Sequence, residues 1–130
     1  MKSFKQHILE KLKVSSNTHN ITNLDEIYKL LKQSSYWKGH KLVELNDIFE
    51  PTTLQTRTRQ DQDFDEHFWY CKPVRFGFDT DEKLLFVTLE RAKQHMYYNA
   101  GIFAETIYNP EMLLWFFTYD ELNAILDYIG

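Results

Sequence analysis

The sequence predicts an α+β domain in which two helices precede an antiparallel sheet of four to five strands and one helix follows it. Three observations carry that prediction. Apolar residues recur at helical spacing at both ends of the chain, with capping-box residues ahead of the second and last helical runs. Between them the apolar residues fall into short runs rich in β-branched and aromatic side chains. Polar clusters that suit turns separate those runs, and nothing resembles a repeated βαβ unit.

The first helix is read over residues 3 to 13. Phe4, Ile8, Leu9 and Leu12 form its apolar stripe, while Lys2, Lys5, Lys11 and Lys13 lie largely elsewhere. With the residues next to it, this helix makes an N-terminal segment, 1–14. The run Ser15, Ser16, Asn17, Thr18, His19 and Asn20 reads as a polar linker, 15–22, leading to one α+β domain over 23–130. Asn23 and Glu26 have capping-box spacing and open a second helix. Its buried stripe is Leu24, Ile27, Tyr28 and Leu31, and it stops before Gly39.

Strands are expected over Leu42 to Phe49, Phe68 to Phe78 with an interruption at Pro73, and Leu84 to Glu90. The polar turn Asp79, Thr80, Asp81 and Glu82 makes Val74–Phe78 and Leu84–Glu90 an antiparallel hairpin. Ile102 to Tyr108 and Met112 to Phe117 extend the sheet as a meander on either side of Asn109 and Pro110. Thr118 and Glu121 then cap a closing helix whose apolar face is Leu122, Ile125, Leu126 and Ile129.

At 130 residues, 43% hydrophobic and 16% aromatic, the chain can bury one good core. No apolar run approaches the roughly 18 residues of a membrane-spanning helix, and no secretory signal opens the sequence. The single cysteine, Cys71, excludes an internal disulfide and suits a reducing cytoplasm. The net charge of −4 is unevenly spread: residues 1 to 13 hold four lysines against Glu10, leaving −7 on the remainder. A basic head on an acidic body suggests an interaction segment and argues against a general nucleic-acid binder; the expected partner is a protein, with no nucleic acid and no membrane, and homo-oligomerisation is open.

No catalytic, cofactor-binding or metal-binding residues are assigned. There is no glycine-rich phosphate loop, no HExxH and no GxSxG. Asp61, Asp63 and Asp65 have the opening spacing of a calcium loop, but Glu66 stands where glycine must turn and Lys72 where a bidentate carboxylate must close it. Arg75, Phe76, Gly77 and Phe78 have the look of a base-stacking strand, yet the acidic turn that follows repels phosphate. His67, Cys71 and His95 are the least implausible members of a scattered active site, with nothing nearby in sequence to activate the thiol.

The candidate contact surfaces are therefore the stripe Phe4, Ile8, Leu9 and Leu12 and the acidic group Asp61, Asp63, Asp65 and Glu66. The acidic group lies in an excursion over residues 52 to 66, which is nearly free of large apolar side chains. Asp79, Asp81 and Glu82 could add to its charge from a neighbouring loop.

The opening segment Met1 to Val14, MKSFKQHILEKLKV, resembles the N-terminal segments of small tailed-phage proteins, among them T4-like internal head proteins and crAss-like phage proteins. In the T4-like group such a segment directs proteins into the assembling head and is cleaved after a glutamate that has an aliphatic residue two positions before it. Ile8, Leu9 and Glu10 fit that pattern, whereas Lys11 stands where a small residue is expected. The resemblance implies a virion or head-associated accessory protein, located in the host-cell cytoplasm or the virion, that docks by its N-terminal stripe. The leading expectation is thus a non-enzymatic protein-binding or assembly module. The alternative is a small acidic inhibitor or immunity protein that blocks a basic partner.

Overall fold

The computed structural model describes residues 18–50, 71–91 and 101–130. The segment 1–17, with the first expected helix, lies outside them, as does the excursion over 52–66.

Helix α1, Leu24–Gln33, starts where Asn23 accepts a hydrogen bond from the Glu26 amide at 3.0 Å. Asp25 and Glu26 in its first turn and Lys32 in its last complement the helix dipole. Ile27 and Leu31 are buried. Its C-terminal end is closed by a side chain from the following 3₁₀ turn, Ser35–Lys38: the buried Trp37 indole donates to the Leu31 carbonyl at 2.7 Å.

Four strands follow in the spatial order β1-β2-β3-β4, all antiparallel: β1 Leu42–Glu44, β2 Cys71–Asp79, β3 Leu84–Arg91 and β4 Gly101–Ile107. The expected hairpin is present as β2 and β3, with Phe76 opposite Val87 and Phe78 opposite Leu85. Pro73 is tolerated in an interior strand because the β1 pairing stops at Arg75, and a bulge between Pro73 and Arg75 absorbs the irregularity.

Two expected strands are corrected. Leu42 to Phe49 is a strand only as far as Glu44, after which Leu45–Asp47 turns as a 3₁₀ helix. Leu45, Ile48 and Phe49 are buried at spacings of three and four, which a helical turn can bring to one side and a strand cannot. Met112 to Phe117 is helical as well, a 3₁₀ turn Pro110–Met112 running into a short helix α2, Leu113–Phe116. Asn109 caps it by accepting from the Met112 amide at 3.2 Å, and Pro110 occupies the first turn, where its missing N–H costs nothing.

Helix α3, Tyr119–Ile129, has the full capping box that Thr118 and Glu121 suggest: the Thr118 amide donates to Glu121 Oε1 at 2.8 Å and the Glu121 amide to Thr118 Oγ1 at 3.2 Å. The architecture is therefore α+β with a four-stranded sheet. One described helix precedes that sheet and two follow it, where one was expected.

The register sorts the sheet into two faces. Val43, Phe76, Phe78, Leu85, Val87, Leu89, Phe103 and Ile107 share the inner face and pack with Ile27, Leu31, Leu113, Leu122, Ile125 and Ile129 in one core. Tyr28 ties α1 to β4 by donating to the Ile107 carbonyl at 3.2 Å. The outer face carries Leu42, Glu44, Arg75, Gly77, Asp79, Leu84, Phe86, Thr88, Ile102, Ala104 and Thr106.

Candidate functional site

The outer face is closely packed at its centre. Phe86 sits opposite Gly77, and a Cβ built on that glycine would lie 2.4 Å from Phe86 Cζ and 2.6 Å from the Lys41 carbonyl oxygen. The ring thus lies directly over the glycine backbone, a close approach that only glycine permits.

Beside that ring is a shallow cavity of about 260 Å³, lined by Leu84, Phe86, Ala104 and Thr106 on its floor and walls and by Asp79 and Glu82 at the hairpin end. The β2–β3 turn fixes the two acids. Asp79 Oδ1 accepts the amides of Asp81 at 2.8 Å and Glu82 at 3.2 Å, and Lys83 completes the turn in the left-handed region at φ 58°. One oxygen of Asp79 is thereby consumed. Among the described residues, no donor is found for its second oxygen or for the Glu82 carboxylate.

Elsewhere on this face charge is balanced. Arg75 Nε pairs with Glu44 Oε1 at 2.6 Å, and Lys72 stands across from Glu90 in the ladder. Within the turn itself Asp79, Asp81 and Glu82 stand against Lys83, a net −2, while Lys41 lies across from this end of β2, its carbonyl accepting the Phe78 amide at 3.1 Å. The turn therefore sets a cluster of carboxylates beside the apolar cavity.

A second polar cluster sits on the helical layer. Asp127 lies in the last turn of α3, where the helix dipole disfavours a carboxylate. Four donors offset this. Thr18 N and His19 N donate at 2.9 and 3.0 Å, and Thr18 Oγ1 and His19 Nδ1 each lie 2.5 Å away. One turn earlier, buried Asn123 accepts from the Ile21 amide and donates to the Ile21 carbonyl, both at 2.9 Å. Part of the polar stretch after the N-terminal segment is thus fastened to α3. Burial alone would raise the Asp127 pKa, but the hydrogen bonds from Thr18 and His19 outweigh it and hold the carboxyl below its ordinary value.

No known protein family, curated protein or solved structure matches this chain.

The residues singled out for contact, Phe4, Ile8, Leu9, Leu12, Asp61, Asp63, Asp65 and Glu66, lie outside the described residues, and so do His67 and His95. Cys71 opens β2. Arg75 is engaged by Glu44, Phe76 is core, and Phe78 stacks on Trp37 with ring centroids 6.0 Å apart. Among the described residues, no group of three or more His, Cys, Asp or Glu side chains could hold a metal ion, and no helix is long and apolar enough to cross a membrane. The acidic turn was visible in sequence, but its apolar neighbour was not. Leu84 and Phe86 share a face by alternation, and Ala104 and Thr106 join them only through the β3–β4 register.

Proposed function

We propose that this chain is a non-enzymatic protein-binding module and that the acid-rimmed cavity of the outer sheet face is one of its contact sites. The carrying observation is the pairing of an apolar floor packed over Gly77 with the Asp79 and Glu82 carboxylates at one end. Small-molecule and cofactor sites typically occupy about 300–1,000 Å³ and enclose most of their ligand. A shallow cavity of about 260 Å³ suits a single side chain of a protein partner better. The setting in a phage virion or head rests on the N-terminal resemblance alone. The inhibitor reading draws on the same acidic turn, which favours encounter with a basic surface.

The test is an NMR titration of the ¹⁵N-labelled full chain with a lysine-rich decapeptide and, separately, with its glutamate counterpart. Binding at this site moves the amides of Glu82, Leu84, Phe86, Ala104 and Thr106 with the basic peptide only, and raised salt reverses the shifts. Shifts spread evenly over the acidic surface, or none at all, overturn the reading.

A further inference from the structure

We infer that the cavity selects arginine over lysine, and that Phe86, laid across β2 at Gly77, is the residue that sets this preference. The inference rests on the binding role proposed for the cavity and names the side chain that fills it.

The cavity owes its shape to a step in side-chain size across the sheet. Phe86 of β3 stands opposite Gly77 of β2 on one side and Thr106 of β4 on the other. Its ring reaches toward β2, because Cζ and Cε1 would lie 2.4 and 2.8 Å from a Cβ at position 77. The space over β4 is thereby left to two small side chains, the exposed Ala104 and the half-buried Thr106. A larger residue at 77 would push the ring off β2, and the open space beside it is the cavity. Because Ala104 lies on the outer face and is exposed, the floor is open from above the sheet. A partner side chain therefore enters from a loop or helix laid on that face, and the backbone edge of β4 takes no part.

Two unlike walls meet in this space. Phe86 and Leu84 form an apolar side, and Asp79 and Glu82 stand at the hairpin end of the same cavity. The Asp81 and Glu82 amides fix Asp79 there, and among the described residues neither Lys41 nor Lys83 forms an ion pair with Asp79 or Glu82. A cation that serves both walls must shed water on one side and keep its hydrogen bonds on another. Guanidinium does this: its weakly hydrated faces lie against an aromatic ring while its in-plane N–H groups reach carboxylates. An ammonium is a compact, strongly hydrated point charge, so contact with the ring costs it hydration that the guanidinium faces never had. The acids attract either cation; the ring tells them apart.

The deciding experiment titrates the ¹⁵N-labelled full chain with the lysine-rich decapeptide and with the same peptide carrying arginine at every lysine, so that length and charge are equal. The arginine peptide is expected to bind about threefold tighter, with shifts at the amides of Glu82, Leu84, Phe86, Ala104 and Thr106. Phe86→Leu, which keeps an apolar side chain but no ring, should bring the two affinities together, and Phe86→Tyr should keep them apart. Equal affinities in the parent chain, with the cavity amides still moving, overturn arginine selection and leave the binding reading standing. A preference that survives intact in Phe86→Leu overturns the role of the ring. If neither peptide moves the cavity amides, both readings fall. Should Phe86→Leu fail to fold, Ala104→Leu on the exposed floor takes its place: it fills the space beside the ring and should abolish the preference, and an undiminished preference overturns the inference.

Discussion

Asp127 and Asp79 are both carboxylates that organise backbone amides, yet they end in opposite conditions. Asp127 collects four donors from Thr18 and His19 and holds two segments that lie far apart in sequence. Asp79 takes two amides on one oxygen to shape a four-residue turn, keeping its other oxygen beside Glu82 and the cavity. Donor supply, more than acidity, divides structural carboxylates from those available to a partner. Three of the Asp127 contacts fall on Oδ1 and one on Oδ2, and all four come from within the chain.

The largest expected effect comes from breaking the Asp127 site. Asp127→Ala strands four donors at once. Hydrogen bonds to charged groups are worth about 1.5–3 kcal/mol each in net terms. His19 is about a third exposed and water can replace part of the loss, so the whole change is expected to cost about 2 kcal/mol, read by urea denaturation. Hydrogen exchange should localise the change, with amides 18–21 losing protection while those of β2 and β3 keep theirs. Uniform loss across the sheet would place Asp127 in the cooperative core instead.

The same site carries a pH signature whose sign follows from linkage. Because the folded carboxyl titrates below its ordinary value of 3.8, the unfolded chain binds the proton first as pH falls. The clasp's contribution is therefore complete above about pH 5 and drains away as acid takes the pH through the depressed folded value. Asp127→Asn, which cannot ionise, should show a flatter stability profile between pH 5 and 3 than the parent chain. Parallel profiles would mean that the clasp does not depend on charge.

Asp79→Ala should have a smaller effect, about 1 kcal/mol, because it removes two amide acceptors from a solvent-facing turn. Asp79→Asn should recover most of it, since an asparagine oxygen accepts the same amides and suits the same turn.

The two carboxylates were not equally legible in the sequence, and neither were the elements that hold them. Asn23 and Thr118 announced their helices because a cap is a local event, complete within four residues. The β2–β3 hairpin and its acidic turn were legible for the same reason. The switch to helical turns at Leu45 and Pro110 was present in the spacing of Leu45, Ile48 and Phe49, and in the Asn109-Pro110 pair. Short apolar runs satisfy strand and helix patterns alike, so the sequence pattern does not separate the two there. The Asp127 clasp joins residues 108 and 109 positions apart, and no periodicity in a single chain encodes such a meeting. The apolar half of the cavity needed the β3–β4 register, which a one-residue slip would have reversed.

Glu82→Gln is the smallest expected change in stability and the sharpest test of the comparison. The side chain is exposed, and no donor to its carboxylate is found among the described residues, so the fold should shift by no more than about 0.5 kcal/mol. Its effect should fall on binding: the basic decapeptide should lose affinity several-fold, and the remaining interaction should depend less steeply on salt because one of the rim charges is gone. Asp127→Asn should do the reverse, weakening the N-terminal fastening while leaving peptide affinity at the hairpin intact. Should Glu82→Gln destabilise the fold as much as Asp79→Ala, the turn would need both acids for its shape, and neither rim carboxylate would remain for a partner.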